Sequence, residues 1–99
     1  MNPKQIEKIL QEKFSYSGEN LKVALQEIEK TSDEIKKAIE TFLQTEKITE
    51  ITREGYTVEK LMKEHGMNPI AAYLTLDFLE KEPEKAKESL KKGHDWIKQ

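Results

Sequence analysis

The stretch Asn68–Leu79, NPIAAYLTLDFL, constrains the fold of this chain more than any other. Ile70, Ala71, Ala72, Tyr73, Leu74, Leu76, Phe78 and Leu79 cover nearly the whole circumference of a helix. A helix apolar all round is stable in water only when other elements cover it on every side. Asn68 as N-cap and Pro69 at the first helical position fix its start. The rest of the chain must therefore supply several amphipathic elements that wrap it.

The remaining sequence offers them at helical spacing. Asn2, Pro3 and Gln5 read as a capping box opening a first helix with Ile6, Ile9, Leu10 and Phe14 inward. "SYSGEN" interrupts it, and Leu21, Ala24, Leu25 and Ile28 form a second stripe. Thr31 followed by Glu34 reads as the cap of a third helix, with Ile35, Ala38, Ile39, Phe42 and Leu43 inward. Thr57 caps a fourth, bearing Val58, Leu61, Met62 and His65, and Gly66 ends it in a left-handed turn. Glu82 and Pro83 open a sixth, with Ala86 and Leu90 inward. Gly93 either ends it or is tolerated within it. Trp96 and Ile97 are expected to dock back onto the domain. The segment "KITEITREGY" fits an extended connector or a frayed helix equally well. The expectation is an all-α, compact bundle of five or six short helices in one domain over residues 1–99. Halves at 1–46 and 55–99 would be joined by a connector at 47–54.

The halves align. Ile6–Lys13 matches Val58–His65, Leu25 to Lys30 matches Leu76 to Lys81, and Ile35 and Ile39 match Ala86 and Leu90, with a one-residue shift in the loop after the first helix. This reads either as a duplicated three-helix unit or as the general likeness of Glu/Lys-rich amphipathic helices.

The pattern Gly66-Met67, Ala72, Leu76, Ala86 and Leu90 resembles that of ubiquitin-associated-like three-helix bundles over residues 57–92. Thr75 and Glu82 stand where that pattern usually has other residues. The resemblance implies a compact protein-interaction module contacting its partner through Gly66, Met67 and the third helix near Leu90. The same segment also resembles a helix-turn-helix, with Leu61, Gly66, Met67 and Ala72 in its scheme. That resemblance implies DNA binding.

Charge bears on the choice. The chain carries 17 Lys plus Arg against 19 acids. Both signs are interleaved in each half, without the basic excess of a nucleic-acid module. No Lys or Arg lies between Gly66 and Glu80, where a recognition helix needs phosphate contacts. The best cationic cluster is Lys85, Lys87, Lys91 and Lys92, the candidate nucleic-acid contact of the alternative reading.

The absence of Cys excludes thiolate chemistry and Cys-ligated metals. His65 and His94 sit in no recognisable nucleophilic or metal-binding arrangement, so no catalytic, cofactor or metal residue is expected. No apolar run reaches the roughly 20 residues of a membrane span, and no signal peptide is read at the start, so a cytoplasmic location is expected. The sequence points to a small non-enzymatic protein-interaction module or subunit, binding another protein or a second copy of itself. Its candidate contacts are Gly66, Met67, Tyr73, Leu74 and Phe78. A helix-turn-helix regulator is the alternative.

Overall fold

The computed structural model describes residues 1–92, and the expectations for Gly93, Trp96 and Ile97 lie outside them. Six helices occur among the described residues: α1 Pro3–Phe14, α2 Gly18–Lys30, α3 Asp33–Thr45, α4 Val58–His65, α5 Pro69–Lys81 and α6 Pro83–Lys91. Between α3 and α4 lies a short antiparallel hairpin, β1 Thr52–Arg53 and β2 Tyr56–Thr57. No described helix is long and apolar enough to cross a membrane.

Local chemistry sets most boundaries. The Asn2 side chain accepts from the Gln5 N–H while the Gln5 side chain accepts from the Asn2 N–H, closing the capping box of α1. Thr57 and Asn68 cap α4 and α5 through the Lys60 and Ala71 N–H groups. Gly66, at φ +67°, ends α4.

One cap differs from the expectation. Ser32, not Thr31, is the N-cap of α3. Thr31 is buried and donates its hydroxyl to the Ile28 carbonyl, so it closes α2 instead. The Ser32 N–H is met by the carboxylate of Asp77, arriving from α5 at 3.1 Å.

The connector is extended rather than helical. Glu54 (φ +53°) and Gly55 (φ +81°) make the two-residue turn between the paired residues Arg53 and Tyr56. Two successive positive φ angles are the turn that suits the twist of a hairpin. Ile51 enters the core, whereas Ile48 remains 41% exposed.

α5 is the central element. It packs against α3, α4, α6 and β1. Every residue from Ile70 to Asp77, and Leu79, is buried. The helix the sequence requires to be wrapped is wrapped.

From Leu10 to Ile39 the first half falls on the second under a single shift. A shift of 51 residues carries Gly18–Lys30 onto Pro69–Lys81. It carries the left-handed Ser15 onto Gly66. It also carries the helix-closing bond from the Tyr16 N–H to the Leu10 carbonyl onto that from Met67 to Leu61. The buried residues Leu21, Ala24, Ile28, Ile35 and Ile39 fall on the buried Ala72, Thr75, Leu79, Ala86 and Leu90. One shift thus serves the chain from Leu10 to Ile39. The register break expected after the first helix moves into that helix, where Ile6 and Val58 lie one position out of step.

The correspondence explains why α5 is apolar all round while α2 is amphipathic. Each is the middle helix of its unit, but α3 of the first unit also covers α5. At Glu19, Lys22 and Gln26 the first unit meets water, where its counterparts Ile70, Tyr73 and Asp77 are buried.

Candidate interaction surface

The residues singled out as partner contacts do not form one open face. Tyr73 and Leu74 are 0% and 1% exposed, and Met67 is 5% exposed. The Tyr73 hydroxyl accepts from the Thr49 N–H and donates to the Thr49 carbonyl, both at 2.9 Å, pinning the connector to α5. Burial pushes the Tyr73 phenol above its ordinary pKa, against the opposing effect of the Thr49 hydrogen bond. Met67 lies under the α4–α5 turn, where its sulfur meets the Thr75 hydroxyl at 3.4 Å. Gly66 is exposed, and Phe78 is half-buried between α2 and α5. Covering by α3, β1, α4 and α6 thus takes three of the five candidates out of reach.

The cationic cluster is largely paired. Lys85 meets Glu82 at 3.4 Å, Lys87 meets Glu54 at 2.6 Å and Lys92 meets Glu88 at 3.0 Å. Lys91 is exposed. The Glu54 carboxylate raises the Lys87 pKa.

An open concavity lies in the other half. It is a groove of 370 Å³ where α1, α2 and α3 meet. Ile6 and Ile28 lie in its floor as part of the core, and half-buried Leu25 lines it from α2. The Met1 side chain closes the α1 end, and its ammonium reaches Glu40 at 3.5 Å. Lys36 and Glu29 stand on its walls without an ion-pair partner among the described residues. An apolar floor with unspent charges of both signs suits a segment of polypeptide better than a nucleic-acid backbone, which demands cations alone.

Sequence reasoning did not single out this groove. Leu25 belongs to a regular stripe with Leu21, Ala24 and Ile28, and nothing local marks it as the member left half-open. The signal is relational: its counterpart Leu76 is 0% exposed. Arg53 was also missed. It bridges Glu80 of α5 at 2.8 Å and Glu34 of α3, and these carboxylates raise its pKa, Glu80 the more.

Comparison with known protein families, with curated proteins and with solved structures found no match for this chain.

Proposed function

We propose that this chain is a small cytoplasmic protein-interaction module that seats a segment of another protein in the α1–α2–α3 groove. The observation that carries the reading is the groove's chemistry: an apolar floor with Leu25 half-open, and Lys36 and Glu29 beside it without an ion-pair partner among the described residues. Interaction surfaces combine such an apolar centre with a polar rim.

Two features favour this over the helix-turn-helix reading. α5, which would be the recognition helix, has its side chains from Ile70 to Asp77 buried within the chain. A reading helix must instead present a row of side chains to base edges. Three of the four candidate phosphate-binding lysines already hold carboxylates.

The test is affinity capture from source cells with wild type, Leu25→Asp, and Met62→Asp as a control on a different surface. Proteins held by wild type and the control but lost with Leu25→Asp support the reading. A set indifferent to Leu25→Asp, in a variant that keeps its fold, overturns it.

A further inference from the structure

The correspondence between the units shows what the open groove lacks. In the second unit, the equivalent surface is occupied by the chain itself. A shift of 51 places Leu25, Ile28, Glu29 and Lys36, all groove residues, onto Leu76, Leu79, Glu80 and Lys87. There β1 packs along α5. Arg53 of β1 pairs with Glu80 at 2.8 Å, and Glu54 beside it pairs with Lys87 at 2.6 Å. Ile51, two residues before Arg53, is 4% exposed.

Among the described residues, the first unit keeps the receiving residues and has no strand along them. Glu29 matches Glu80 and Lys36 matches Lys87 in type, yet neither has an ion-pair partner among the described residues. Helix lengths show which part of the hairpin has been replaced. α1 has 12 residues against 8 in α4, and the register in which Ile6 matches Val58 places Pro3 on Gly55. The extra first turn of α1 therefore stands in for Gly55 and β2, the strand that packs on α4. Among the described residues, the lane of β1 along the middle helix holds only Met1, at one end.

We propose that this lane is the docking seat for an extended segment of a partner protein. The segment would carry a branched aliphatic residue, any residue, then an arginine and an acid, in the manner of Ile51-Thr52-Arg53-Glu54. The aliphatic side chain enters the apolar floor beside Leu25. The arginine meets Glu29, and the acid meets Lys36. This names the partner chemistry of the groove and rests on the reading given above. Opposite charges at two fixed positions set direction and register, while the apolar residue supplies most of the affinity.

The experiment is an amide chemical-shift titration of the full chain with a capped peptide of its own residues 48–54, ITEITRE. Saturable shifts at Lys4, Leu25, Glu29 and Lys36, with a Kd at or below about 1 mM, support the proposal. So does binding weakened at least about tenfold by a peptide carrying Arg53→Glu and Glu54→Arg, and restored when the protein carries Glu29→Arg and Lys36→Glu. The swapped peptide on the wild-type protein is decisive even if the doubly substituted protein does not fold. Absence of saturable shifts below about 1 mM overturns the proposal. Equal binding of the swapped peptide does so too, as do shifts at Tyr73, Glu80 and Lys87, which would mean displacement of the chain's own β1. If the peptide fails while Leu25-dependent capture holds, the partner has other chemistry and this inference alone falls. If both fail, the interaction reading falls with it.

Discussion

Asp77 is a buried carboxylate with two partners. It accepts from the Ser32 N–H at the start of α3 and pairs with Lys81 one turn along at 2.8 Å. Removing it strands a backbone donor at a half-buried helix start. Asp77→Ala is expected to cost about 2 kcal/mol, measured by urea unfolding. Asp77→Asn, which keeps an acceptor for Ser32, should recover part of that loss. Ser32 behaves in the opposite way. Its hydroxyl is buried without a partner among the described residues, and its side chain makes no capping bond. Ser32→Ala is therefore expected to change stability by less than about 0.5 kcal/mol, although an N-cap serine usually contributes about 1 kcal/mol. A large loss in the same unfolding assay would contradict Asp77 as the effective cap. The tyrosines give a pH signature. Burial raises the pKa of Tyr16 and of Tyr73, partly offset by hydrogen bonds to Asn68 and Thr49. Between the unfolded value near 10 and the raised folded value, the unfolded chain holds fewer protons. Stability is thus full below pH 10 and falls as pH rises through the folded pKa. Urea midpoints from pH 9 to pH 11 should drop, and Tyr73→Phe should flatten part of that drop.

Among the elements, the hairpin and α5 depend on each other. Arg53, Thr49 and Glu54 tie the connector to α3, α5 and α6, while the Glu50 carboxylate accepts from the Val58 N–H at 2.8 Å at the start of α4. The turn needs a positive φ at Gly55, so Gly55→Ala is expected to cost about 1 kcal/mol. It should also raise amide hydrogen exchange selectively across residues 49–57. Exchange confined to other segments would contradict the hairpin's role as a local clasp. How legible each element was in the sequence follows from how local its causes are. Asn2, Thr57, Gly66 and Asn68 act on their immediate neighbours, so the ends of α1, α4 and α5 could be read directly. The hairpin could not be read, because Glu-Gly is a weak turn signal beside Asn-Gly or Asp-Gly and its strands are two residues each. The cap of α3 could not be read either. Its acceptor, Asp77, is 45 positions away from Ser32. Likewise Tyr73 and Leu74 lie on a helix whose apolar girth was plain, but which neighbour covers them is a matter of tertiary packing.

At the scale of the whole molecule, two equivalent units are put to unequal use. The second unit is completed by α3 and by the hairpin, which Arg53 ties to α3 through Glu34 and to α5 through Glu80. The first unit meets water at Lys22 and Gln26, where its counterparts are buried, and keeps an open lane where the hairpin would lie. The groove was not legible because neither half alone reveals it. Only the comparison of Leu25 with Leu76, and of Glu29 and Lys36, unpaired among the described residues, with paired Glu80 and Lys87, marks it out. The central claim is that this lane is a seat for a partner. The most direct measurement is photo-crosslinking in source cells, with a benzophenone amino acid replacing Leu25 in one protein and Met62 in another. The account predicts a discrete protein adduct from position 25 that is absent from position 62 and is lost when Glu29→Arg and Lys36→Glu are added. No adduct at position 25, or the same adducts from both positions, would contradict it.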